Sequence, residues 1–254
     1  MSHFRRLYRL IFLILATLLT YVTIVAARCI FFGSPGLKAK IRNFAVRSWA
    51  IFNCKILNIT VNVAGSKPKR PFFLVSNHLS YLDIVVFFSQ IDCNFVAKAE
   101  LRKWPVLGPI IASAGTIFIN RTRRQELPAV NKAVEKAIKQ EQGIIVFPEG
   151  TASKGECVLP FRPPLLEVIA RNNYPAYYAS IFYKTEPPDP PAHNVVCWWD
   201  DVSFSSHFLN LLKLSGIETR IAFGHDAVSG NDRKIISKEL WKRVNKNFTP
   251  SFKK

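Results

Sequence analysis

The chain has 254 residues, enough to bury a core, and carries 35 Lys and Arg against 17 Asp and Glu, a formal net charge of +18. Its 49% hydrophobic content excludes a disordered polyelectrolyte, and the basic excess gives a broad positive field that attracts acidic partners. The basic residues are scattered without an RNP, zinc-finger or helix-turn-helix pattern, which sets nucleic acid aside; five cysteines without a CxxC pair, and the isolated His3, His193, His207 and His225, set aside a disulfide framework and a metal site.

From Leu10 to Ala27 eighteen uncharged, mainly apolar residues run between Arg9 and Arg28. That length reaches the threshold for a membrane-spanning helix, although the charged start and Val25-Ala26-Ala27 also fit a secretory signal peptide. A third reading lays the helix in the membrane interface beside a second one, Leu37 to Ile56, in which Lys38, Lys40, Arg42 and Arg47 sit among Ile41, Phe44, Trp49 and Phe52. The expectation for residues 1–56 is an uncleaved membrane anchor, transmembrane or monotopic. Positive charge on both flanks leaves its orientation open.

A second unit is expected over residues 57–254. Ile59, Val61 and Val63 alternate along a strand that stops at Gly65-Ser66-Lys67-Pro68, and Phe72 to Ser76 reads as a buried strand. A helix from Ser80 to Ser89 and strands at Asn94 to Ala97 and Thr116 to Asn120 follow. Val130, Ala133, Val134, Ala137 and Ile138 then mark the core stripe of a helix that Gly143 ends. Ile144 to Phe147 is a short apolar strand stopped by Pro148. Beyond it the pattern predicts a helix over Leu165–Arg171, strands over Ala176–Tyr183 and Val195–Trp199, a short helix near Phe208, a strand over Thr219–Phe223 and a helix over Arg233–Asn247. Strands alternating with helices predict an α/β fold with a mostly parallel central sheet flanked by helices.

Chemistry concentrates at three strand ends. In Asn77-His78-Leu79-Ser80-Tyr81-Leu82-Asp83 a histidine leaves a strand and a carboxylate follows five residues later. On one continuous helix that offset would turn the pair about 140° apart, so they meet only with His78 in the loop and Asp83 in the first helical turn. A carboxylate that holds the imidazole in one tautomer makes its other nitrogen a base able to activate an alcohol. Ser80-x-x-Asp83 also fits a capping box. Gly115 to Arg121 and Phe147-Pro148-Glu149-Gly150-Thr151 end strands at the same sheet edge. Arg121 offers a fork for phosphate or carboxylate, or is a solvated turn residue; Glu149 faces a polyol or caps nearby amides; Gly150 admits close backbone approach or only makes the turn.

In this order the three blocks resemble the lysophosphatidic acid acyltransferase family, also called glycerolipid or PlsC-like acyltransferases, whose NHxxxxD hallmark is matched by Asn77, His78 and Asp83. The resemblance implies that His78 is the general base and Asp83 its orienting partner. It implies an acceptor pocket drawing on Asn77, Arg121, Glu149, Gly150 and Thr151, with Arg121 on the acceptor's anionic group. It also implies a lysophospholipid acceptor, foremost 1-acyl-sn-glycerol 3-phosphate, with acyl-CoA or acyl carrier protein as co-substrate and no further cofactor. The expected location is a bacterial inner membrane, with the catalytic domain on the cytoplasmic side. Two departures bear on the acceptor: the fourth block keeps only Pro175, and Phe161-Arg162-Pro163 with Leu165-Leu166-Glu167 looks more like the ornithine-lipid acyltransferase branch.

Overall fold

The computed structural model describes residues 2–120 and 127–251. Two helices, α1 (Ser2–Ile30) and α2 (Pro35–Leu57), pack against each other; Pro35 sits in the first turn of α2, where its missing N–H costs no hydrogen bond, and Asn58 closes the helix in a left-handed conformation. β1 (Ile59–Ala64) follows at once.

The sheet has seven strands in the order β1-β7-β6-β2-β5-β3-β4. β6 (Ala176–Lys184), β2 (Phe72–Ser76), β5 (Gly143–Val146), β3 (Asn94–Lys98) and β4 (Ile117–Ile119) run parallel. β7 (Ile217–Phe223) is antiparallel to β6 and parallel to β1. The mostly parallel α/β sheet is thus the one expected, with an antiparallel margin.

β2 shows why its run is continuously apolar. Phe72 and Leu74 enter a core with α2 and α3 (Leu82–Gln90), while Phe73 and Val75 enter the opposite core with α5 (Leu127–Lys139), α6 (Glu167–Arg171) and α9 (Arg233–Asn247). A central strand covered on both faces has no polar side. At the start of β5 a Cβ on Gly143 would lie 2.2 Å from the Phe72 ring, so only glycine lets the two strands pair in this register.

Two differences from the sequence reading have local causes. Residues 195–199 are not a strand: Pro191 opens a short helix, α7 (Ala192–Val195), and the chain then runs irregularly with Val196 and Cys197 buried. Their apolar run reflects core packing without a strand partner, and the Trp198 amide donates to Leu79 O instead. A helix for which no pattern was read, α4 (Leu107–Ser113), follows a 3-10 turn over Ala99–Lys103; its single short stretch is too brief to show a period. The short helix near Phe208 is α8 (Phe204–Leu211).

By length and composition α1 could cross a membrane. It is nevertheless tied to the rest of the protein at both ends. Near its start Arg9, 2% exposed, donates to Leu212 O and Leu214 O, and Arg5 donates to Lys213 O. Near its end Arg28 donates to Ser113 O at the close of α4, and midway Trp49 of α2 donates to Thr17. Leu13 and Ile24 face the core, while Leu15, Leu19, Val22 and Phe44 of α2 stand exposed.

Candidate active site

The last backbone pair between β2 and β6 sets Ser76 beside Ala179. One residue on, the Asn77 side chain continues the ladder: its amide donates to Ile181 O at 3.0 Å and its oxygen accepts from Ile181 N at 2.8 Å. Asn77 is expected at the acceptor, but it is buried with its amide engaged on β6, and so frames the loop from below. The loop is pinned from three more directions. His78 N donates to Glu149 Oε1 at 2.9 Å, His78 O accepts from Ser153 N, and Leu79 O accepts from Trp198 N.

His78 lies in that loop and Asp83 in the first turn of α3, the one arrangement in which a five-residue offset converges. His78 Nδ1 lies 2.7 Å from Asp83 Oδ2, and the ring stacks on Phe147 with centroids 4.2 Å apart at 11°. The imidazole is thereby fixed in orientation, and Nε2 has no partner among the described residues. The side chain of His78 is 22% exposed and that of Asp83 0%, so the imidazole reaches the surface while its partner does not.

A buried carboxylate must be hydrogen-bonded to be tolerated. Asp83 Oδ2 also accepts from Leu79 N at 2.8 Å and Ser80 N at 3.2 Å, and Oδ1 accepts from Tyr183 Oη at 2.8 Å. The helix-capping and histidine-orienting readings of Asp83 are therefore both true of one side chain. Tyr183 escaped the sequence reading. The signal available was period-two alternation: Ala179, Ile181 and Tyr183 share the face of β6 that looks toward α3.

Glu149 is 2% exposed; Oε1 accepts from His78 N and Oε2 from Leu159 N at 3.2 Å. It braces the His78 loop against the segment after β5, with both oxygens engaged by backbone N–H groups. Burial pushes its carboxyl up to about 8, against the opposing pull of the two N–H donors. The folded protein thus holds a proton on Glu149 that the unfolded chain releases near its ordinary value of 4.5. This contribution to stability is full below that value and is lost as pH rises toward 8, at roughly 1.4 kcal/mol per pH unit for one proton. Glu149→Gln, which cannot titrate, is expected to flatten the fall in thermal midpoint across that window while lowering the midpoint in acid, because the amide cannot accept at both ends. An unchanged pH slope would refute the assignment.

Gly150 closes a turn by donating to Phe147 O and has φ +80, where a Cβ would lie 2.9 Å from Arg162 Nε. Glycine is thus favoured by the backbone conformation, whereas the flexible Arg162 side chain could move aside. Thr151 is exposed beside it. Arg121 lies outside the described residues. His207, read from sequence as a surface or loop side chain, is buried and bonded to Tyr81 and Cys197 O.

At the edge of a parallel sheet the structure thus presents an oriented, solvent-reaching histidine hydrogen-bonded to a buried aspartate. Residues 58–181 match the model of the Acyltransferase family. Among curated proteins the chain is similar to lysolipid acyltransferases. The 1-acyl-sn-glycerol-3-phosphate acyltransferase of Neisseria gonorrhoeae is 35% identical over 137 residues, 53% of this chain and 54% of that protein. The lyso-ornithine lipid O-acyltransferase of Rhizobium meliloti (strain 1021) is 25% identical over 223 residues, 83% of this chain and 76% of that one. The chain spans about half the length of the first of these curated relatives. The crystal structure of the 1-acyl-sn-glycerophosphate acyltransferase PlsC from Thermotoga maritima shares the fold, with a TM-score of 0.60 and 21% identity over 94% of this chain and 97% of that one.

Proposed function

We propose that this protein moves a fatty acyl group from acyl-CoA or acyl carrier protein to the free hydroxyl of a lysophospholipid, with 1-acyl-sn-glycerol 3-phosphate as the principal acceptor and phosphatidic acid as the product. The observation that carries this reading is the His78–Asp83 pair at 2.7 Å. In the proposed reaction Nε2 takes the acceptor's hydroxyl proton as its oxygen forms a bond to the thioester carbon. The carbon–sulfur bond then breaks, and the imidazolium returns the proton to the departing thiolate. Asp83 keeps Nδ1 protonated and stabilises the imidazolium.

The longer alignment with a lyso-ornithine lipid acyltransferase supports a second acceptor, in which Arg121 would meet a carboxylate rather than a phosphate. Purified protein in detergent, given a labelled acyl thioester with lysophosphatidic acid and lyso-ornithine lipid at equal concentration, separates the two. Faster transfer to lysophosphatidic acid supports the first reading, faster transfer to lyso-ornithine lipid supports the second, and transfer to neither overturns both.

We further propose that α1 lies in the membrane interface instead of crossing it. Arg5 and Arg28 are about 35 Å apart along the helix, longer than the ~30 Å hydrocarbon core, yet both are bonded to the same folded body. The exposed apolar face of α1 then enters the lipid sideways, with the docked arginines at headgroup level. A Ser2→Cys variant in sealed vesicles is expected to react with a membrane-impermeant maleimide from the same side as exposed Cys157. Labelling from opposite sides would establish a spanning helix.

A further inference from the structure

Asp83 needs more than its contact with His78 to act as an orienting group. Its carboxylate can rotate about its own axis, and Oδ2 already accepts from three donors: His78 Nδ1, Leu79 N and Ser80 N. What restrains the opposite oxygen is the hydroxyl of Tyr183, at 2.8 Å. The β2–β6 register explains why β6 can reach so far. Ser76 beside Ala179 is the last pair, and β6 runs on past it to Lys184, which carries Tyr183 beyond the end of β2 to the side chain of Asp83 in the first turn of α3.

We propose, on the basis of the acyl-transfer reading above, that Tyr183 is a positioning residue for the catalytic pair, its hydroxyl clamping Asp83 Oδ1 so that Oδ2 stays in line with His78 Nδ1. The surroundings fix the direction of that hydrogen bond. Tyr183 is fully buried, and burial together with the neighbouring Asp83 carboxylate raises its phenol well above its usual range, so it donates. The other titratable groups around the pair are Cys54 on α2, Cys197 after α7 and Glu149 after β5. Burial pushes the first thiol up to about 11 and the second up to about 12, so both are neutral. Among the described residues no lysine or arginine forms an ion pair with Asp83. Among the described residues the phenol is therefore the one side chain besides His78 that hydrogen-bonds the carboxylate.

A clamp of this kind acts on the chemical step and not on substrate capture. Tyr183→Phe, which keeps the ring in its core site, is expected to lower kcat about tenfold while leaving KM for donor and acceptor within twofold, since one charge-assisted hydrogen bond lost in the transition state is worth about that factor. The Asp83→Asn background supplies the control: there the same substitution should change kcat less than twofold, because no carboxylate charge remains for the hydroxyl to align. Equal losses in both backgrounds, or an unchanged kcat in Tyr183→Phe, would overturn the proposal. Should Tyr183→Phe fail to fold, 3-fluorotyrosine at 183, which retains the hydroxyl but makes it a stronger donor, must alter kcat, and no alteration refutes the clamp. The His78 Nδ1–H proton resonance, read in detergent micelles, must also move in Tyr183→Phe. Absence of transfer by the unmodified protein would sink the acyl-transfer reading, and the resonance alone would then decide whether Tyr183 orients the pair.

Discussion

His78→Ala is expected to lower acyl transfer about a thousandfold while the protein stays folded. The size follows from what is removed: a positioned general base contributes roughly 10²–10⁴ to rate. The folded state tolerates the loss because the ring is partly exposed and Asp83 keeps three other donors, Leu79 N, Ser80 N and Tyr183 Oη. The missing stack on Phe147 costs about 1 kcal/mol. The measurement is transfer of labelled acyl chain together with a thermal melt on the same preparation. Retained transfer with an unchanged melt would leave His78 a structural residue and remove the basis for the proposed reaction.

Asp83→Asn is the more discriminating change, with an expected loss of two to four orders of magnitude in kcat and a small loss of stability. An asparagine oxygen in the place of Oδ2 still accepts from His78, Leu79 and Ser80, and its amide nitrogen can donate to the Tyr183 hydroxyl, which turns to accept. Helix start and loop shape therefore survive. What is missing is the negative charge that steadies the imidazolium as the acceptor proton arrives. Asp83→Ala, by contrast, leaves four hydrogen-bond donors without their acceptor and is expected to unfold at markedly lower temperature. If Asp83→Asn and Asp83→Ala prove equally unstable, the carboxylate serves architecture first.

How far the sequence carried this picture can be read from particular residues. β2, β5 and the loop between Asn77 and Asp83 were legible because both period and punctuation are local: apolar runs of a few residues, a proline or a turn residue, then a helix. The offset between His78 and Asp83 even dictated which one must sit in the loop. Residues 195–199 misled because a buried irregular segment is as apolar as a buried strand, and only the missing partner strand distinguishes them. Asn77, Glu149 and Tyr183 were illegible in role for another reason. Their partners Ile181, His78 and Asp83 lie between 71 and 104 positions away, and such pairings exist only once the sheet has formed. Glu149 in particular looks like a ligand by position and proves to hold the backbone of the loop it faces.

A carboxylate that starts a helix and holds an imidazole at the same time also constrains how such a protein can decay. A duplicate freed from its task loses little by discarding His78, whose ring contributes modestly to the fold. Asp83 is held to aspartate or asparagine by the amides of Leu79 and Ser80 whether or not any substrate arrives. Retired copies should therefore keep an aspartate or asparagine at this position long after the histidine has drifted, leaving in their sequences a record of the order in which the two demands were lifted.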